Sequence, residues 1–193
     1  MINKIFNTFC ALLIIAVPLA AVKAKSQASH ISYEDTVVVY FSAGKHTKII
    51  ADYISKKLGC NSIEIEPLVP YTNDDLNYRV EDSRVSLENF DPHARPLIKN
   101  INELKQLDKY KRVIIGSPVW FRKSPKIIKS LLDDYDLQGK EIFTFVTSGG
   151  FPVYTFIEDL KEKYPNLNFK KAIRFKTNES DAAIDDWLKH LDK

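Results

Sequence analysis

Cysteine is nearly absent from this sequence, which has two, Cys10 and Cys60, in 193 residues. Cys10 lies inside an N-terminal apolar run. The remainder of the chain therefore carries one thiol and no internal disulfide, and its stability has to come from a buried core. Cys60, between Gly59 and an apolar strand pattern, reads as a small buried hydrophobe rather than a redox thiol. An excess of one charge is lacking as well: 28 Lys and Arg stand against 25 Asp and Glu. That balance argues against nucleic acid or another polyanion as the main partner. The histidines His30, His46, His93 and His190 show no metal-ligand spacing. No Ser-His-Asp or paired-carboxylate pattern is readable either.

A long hydrophobic run is also missing. The apolar stretch Phe9 to Val17 follows the cationic start Met1-Ile2-Asn3-Lys4, is broken by Pro18 and leads to the small-residue site Val22-Lys23-Ala24. This is the pattern of a secretory signal peptide cleaved after Ala24. It falls well short of the roughly 20 residues of a membrane-spanning helix, and Cys10 lacks the Leu-small-small lead of a lipid anchor. The expected plan is a signal peptide at 1–24, a polar linker at 25–34 and one domain at 35–193, exported to the periplasm or secreted, with no stable membrane insertion. Loss of Lys4 and Lys23 leaves 28 less two, or 26, basic residues against 25 acidic ones.

What is present is an alternation of strands and helices. Val37-Val38-Val39-Tyr40 is a β-branched run, and Ile50, Ile54 and Leu58 then recur on one helical face up to Gly59. Ser62-Ile63-Glu64-Ile65-Glu66 alternates apolar with acidic residues, as a strand near a sheet edge does, and Pro67 ends it. From Leu68 to Asn100 runs a long polar stretch with weak helical content, a length that usually marks a functional or surface excursion. A short helix over residues 102–107 precedes the central strand Arg112 to Ser117. Ser124-Pro125 then predicts a helix start, with Ser as the cap and Pro at the first helical position. Its buried face is Ile127, Ile128, Leu131 and Leu132, and the charge run Asp133, Asp134, Asp136 reads as a solvated helix end.

Glu141 to Val146 is a fourth strand, followed by a helix carrying Val153, Phe156, Ile157, Leu160 and Tyr164. Phe169 to Phe175 suits a charged edge strand, and Ser180 caps a last helix with Ile184, Trp187 and Leu188 on one face. Five strands separated by helices imply an α/β domain with a parallel sheet covered on both faces.

In such a sheet the loops at the carboxyl ends of strands converge where the strand order reverses. Three loops of unusual composition qualify: Ser42 to Thr47, Ser117-Pro118-Val119-Trp120-Phe121, and Thr147-Ser148-Gly149-Gly150. The first offers hydroxyls and helix-start amides to a phosphate, the second a large aromatic, the third flexible amides. Together they suit a flat aromatic ligand bearing a phosphate. Trp120 has a plainer reading, packing under a neighbouring helix, and Phe151 and Tyr154 at helical spacing read as core aromatics as readily as ring contacts.

The motifs Tyr40-Phe41-Ser42 with Thr47, Tyr71-Thr72 with Asp74-Asp75, Arg95-Pro96, Gly116-Ser117-Pro118-Val119-Trp120, Tyr135-Asp136-Leu137-Gln138-Gly139-Lys140 and Thr147-Ser148-Gly149-Gly150 resemble, in order and spacing, those of the flavodoxin family. They match its small members with a long insertion after the second strand. The resemblance implies a flavodoxin-like three-layer sandwich, a five-stranded parallel sheet of order 2-1-3-4-5, FMN as cofactor, and electron transfer to a redox partner protein or a small-molecule acceptor. It also implies that Ser42, Ala43, Gly44, Lys45, His46 and Thr47 hold the phosphate. Pro118, Val119, Trp120 and Phe121 would flank the ring, and Ser148, Gly149 and Gly150 would offer amides to its pyrimidine edge.

One departure stands out. The family loop usually reads Ser-x-Thr-Gly-Asn-Thr, and here Gly44, Lys45 and His46 replace its Thr, Gly and Asn. A left-handed lysine costs about 1 kcal/mol or more, which a one-residue shift onto Gly44 would relieve. Lys45 is either a new cation for the phosphate or a solvent-facing residue on an altered loop, and His46 reads as a surface or capping residue. The alternative function is thus a flavodoxin-fold binding module that has lost FMN.

Overall fold

Residues 33–191 are described by a computed structural model. The expected signal peptide and all but the end of the linker lie outside the described residues. No helix among the described residues is long and apolar enough to cross a membrane.

The strands are β1 (Thr36–Tyr40), β2 (Asn61–Glu64), β3 (Arg112–Pro118), β4 (Glu141–Thr147) and β5 (Asn168–Phe175). They form one parallel sheet in the order β2-β1-β3-β4-β5, as the resemblance implied. The helices are α1 (His46–Leu58), α2 (Arg84–Phe90), α3 (Ile101–Leu104), α4 (Lys126–Asp134), α5 (Val153–Lys163) and α6 (Asp181–Leu188).

The β-branched run of β1 is buried throughout because both its faces are covered. Val37 and Val39 join the core formed with α3, α4 and α5. Val38 and Tyr40 join the other core, formed with α1 and α6. Chain order runs outward from β1 to β2 on one side and from β3 to β4 and β5 on the other, with the covering helices on opposite faces. Right-handed crossovers require that arrangement, and it leaves a crevice above the carboxyl ends of β1 and β3.

Three expectations need correction. The excursion holds a true helix, α2, because the Ser83 hydroxyl accepts the Ser86 N–H as an N-cap. The base of the excursion is closed by an antiparallel bridge between Pro67 and Ile98. Ser124 does not cap α4: its hydroxyl and N–H both donate to the Asp159 carboxylate, at 2.7 and 3.3 Å, and Pro125 takes the cap position. Nor is Asp133 a merely solvated helix end, since it accepts from the Tyr164 hydroxyl at 2.6 Å and pairs with Arg95. Cys60 is half-buried against the core, and burial pushes its thiol up to about 11.

Candidate functional site

Above β1, β3 and β4 lies a cleft of about 630 Å³, a size usual for a cofactor site. Twelve of the thirteen residues expected to hold a ligand line it: Ser42, Ala43, Gly44, His46, Thr47, Pro118, Val119, Trp120, Phe121, Ser148, Gly149 and Gly150. The exception is Lys45, whose side chain is exposed and makes no ion pair among the described residues.

Lys45 contributes through its backbone. It is the residue before α1, at φ 64, in the left-handed region. Gly44 does not take that conformation, so the one-residue shift has not occurred and the strain sits on the lysine. The Ser42 hydroxyl accepts from the Lys48 N–H at 3.1 Å, and Ile49 N–H donates to the Lys45 carbonyl. The amides of Ala43, Gly44, Lys45, His46 and Thr47 donate to no acceptor among the described residues. A run of unpaired amides at the positive end of a 13-residue helix is an anion cradle. No acidic side chain among the described residues lines the cleft.

Thr47 is buried, and its hydroxyl lies 2.8 Å from that of Thr147 at the end of β4. Only one of the two protons is used between them, so the other stays available to an acceptor.

In the third loop, Ser148 N–H donates to the Phe175 carbonyl, and the Gly150 and Phe151 N–H groups donate to the Ser148 hydroxyl. Of the amides expected to face a ring, Gly149's is the one without a protein acceptor among the described residues. Arg174 braces this loop by donating to the Ser148 carbonyl at 3.1 Å.

The aromatic wall is built across the chain. Trp120 packs edge-on against Phe41 at 5.4 Å and Tyr71 at 5.2 Å between ring centroids, while also lining the cleft. Tyr71 is clamped in turn: the Arg84 guanidinium lies 3.9 Å from its ring centroid and its hydroxyl donates to Glu88 at 2.7 Å. Trp120 and Lys123 exchange backbone hydrogen bonds around a two-residue turn in which Phe121 (φ 48) and Arg122 (φ 64) are both left-handed. A turn with positive φ at both central positions normally uses Asn or Gly. Strain of this kind clusters at ligand sites.

Sequence reasoning missed Leu76, Tyr78 and Val85 of the excursion, and Thr177, all of which line the cleft. For the three excursion residues the signals were the Tyr71-Thr72-Asp74-Asp75 motif and the length of the excursion; Thr177 had none. Tyr154 does not line it, whereas Phe151 does.

Residues 35–191 match the family model described as flavodoxin. Among solved structures, a Bacteroides uniformis protein assigned as a flavoprotein is 30% identical, with a TM-score of 0.76 over 80% of this chain and 97% of its own. A second, from Bacteroides eggerthii, is 34% identical, with a TM-score of 0.74 over 80% and 95%. A flavoprotein from Lactobacillus acidophilus solved in complex with FMN is 24% identical, with a TM-score of 0.57 over 79% and 97%, and shares the fold. No curated protein matches the sequence.

Proposed function

Because the chain belongs to the flavodoxin family, we propose that it binds FMN in the cleft above the sheet and serves in electron transfer, as a carrier or as a small reductase of quinone-like or other acceptors. The observation that carries this reading is the run of unpaired amides from Ala43 to Thr47, held open by the left-handed Lys45. The donor set fits a phosphate, and the apolar walls from Val119 to Phe121 fit a flat ring. The FMN bound by the Lactobacillus acidophilus protein of the same fold points the same way.

When bound, FMN supplies the redox chemistry. The chain's own residues bind and orient. The amides of residues 43–47 and the hydroxyls of Ser42 and Thr47 meet the phosphate. Trp120, fixed by Phe41 and Tyr71, forms one wall beside the ring, and the Gly149 amide offers one donor at its edge. Leu76, Tyr78 and Val85 add side chains from the excursion to the cleft lining. The N-terminal pattern supports export. A donor other than a soluble nicotinamide would then be required, since such donors are expected to be scarce outside the cytoplasm.

The test is to add FMN to the purified protein and follow the visible spectrum and flavin fluorescence. Quenching and a spectral shift are expected. Neither appearing at tens of micromolar FMN would leave the flavin-free binding module as the function.

A further inference from the structure

A second cleft, of about 620 Å³, opens on the far side of Trp120 and Phe121. Val85, Trp120 and Phe121 line both clefts, so the two adjoin at these residues. The two differ in chemistry. The second is the more polar, lined by Lys123, Lys126, Lys129 and Lys163 together with Phe90, Pro92 and Pro125 beside Phe121.

The charges of that lining are not all accounted for. Lys129 is nearly buried and pairs with Asp159 at 2.8 Å. Asp159 takes Ser124 as well, so its charge is fully engaged. Glu88 is held by Arg84 and Tyr71, and Lys163 lies 3.8 Å from Asp133. Lys123 and Lys126 have no hydrogen-bond or ion-pair partner for their ammonium groups among the described residues; Glu162 is the one carboxylate of the lining in the same position. Lys126 is half-buried, and its ammonium is disfavoured first by burial and then by the positive charges of Lys129, Arg95 and Lys123, against a smaller stabilising effect of Asp159. The Asp159 carboxylate, already bound by Lys129 and Ser124, only partly offsets these effects, and no carboxylate pairs directly with Lys126 among the described residues.

We propose that this second cleft binds an organic anion with a flat apolar body, such as an aromatic carboxylate or sulfonate, its charge meeting Lys126 and Lys123 and its body lying against Phe121 and Phe90. Such a ligand would share Val85, Trp120 and Phe121 with the first cleft and so would adjoin a flavin bound there. Describing the ligand as an electron acceptor rests on the FMN reading above; its binding does not.

The probe is anthraquinone-2-sulfonate, titrated calorimetrically into the purified protein with and without FMN. Its uncharged analogue 2-(hydroxymethyl)anthraquinone serves as comparison. Expected are saturable binding of the sulfonate, at least fivefold tighter than the analogue, and a loss of about tenfold in Lys126→Gln that Lys126→Arg largely restores. FMN affinity, read separately from the visible spectrum, is expected to be the same in all three proteins. If FMN fails to bind while the sulfonate behaves as stated, the site stands and the flavin reading falls. Absence of sulfonate binding, equal binding by wild type and Lys126→Gln, or displacement of the sulfonate by FMN would each overturn the proposal.

Discussion

The hydroxyls of Thr47 and Thr147 lie 2.8 Å apart in the interior, joining the first turn of α1 to the end of β4 across 100 residues of sequence. This contact ties the anion cradle to the loop on the opposite side of the cleft. Replacing either threonine by valine keeps the shape but strands the other hydroxyl. Each single variant is expected to lose about 1 to 3 kcal/mol, and the double variant less than the sum of the two. Urea unfolding of the four proteins measures the coupling, and strict additivity would show that the two hydroxyls do not interact.

Lys45 should be replaceable by glycine. Its φ of 64 is unfavourable for a side chain, and its ammonium does not line the cleft. Lys45→Gly is expected to raise stability by about 1 kcal/mol, and Lys45→Ala to leave it nearly unchanged. Both should keep FMN affinity. A loss of about tenfold in both variants would assign the ammonium to the phosphate instead.

Gly116 faces Phe145 so closely that an added Cβ would lie 2.3 Å from the ring. That ring packs against Phe175 and Trp187, at centroid distances of 6.2 and 6.4 Å, and has nowhere to retreat. Gly116→Ala is expected to cost about 3 kcal/mol, and adding Phe145→Leu to recover part of it. Thermal unfolding of both variants checks this. A Gly116→Ala melting temperature equal to wild type would contradict the packing described.

Acid should weaken the protein partly through Asp159. Burial alone would raise its carboxyl, but the hydrogen bonds from Lys129 and Ser124 outweigh that and hold it below the usual carboxylate range. Because the folded value lies below the unfolded one, this contribution is complete above about pH 4 and is lost as the pH falls through the folded value. Asp159→Asn leaves Lys129 buried without its partner. It is expected to cost about 3 kcal/mol at pH 7 and to flatten the loss of stability as the pH falls below about 4. Urea midpoints across that range provide the check, and an identical acid slope in the variant would rule the pair out.

Thiol chemistry offers a simpler check. With its thiol pushed up to about 11 by burial, Cys60 is expected to react slowly with iodoacetamide at pH 7.5 in the native protein and fast in urea. Equal rates in both states would mean that the thiol is open to solvent.

By itself the sequence determined the strands, most of the helices and the three loops that gather at one cleft. The continuous apolar runs of β1, β3 and β4 and the 3.6-residue recurrence of Ile50 and Ile54 depend on neighbouring residues alone. The loops that follow those strands were legible for the same reason, and twelve of their thirteen candidate residues line one cleft. Partners distant in sequence were not legible. Ser124 reads as a helix cap until Asp159, 35 residues away, takes its hydroxyl. Leu76, Tyr78 and Val85 read as parts of a polar excursion until Arg84 and Tyr71 fasten it against Trp120. Lys45 showed a conflict in the sequence, and only the fold decided that the backbone would keep the loop and bear the strain. Local pattern is written residue by residue, whereas the choice among competing hydrogen-bond and packing partners is made when distant segments meet.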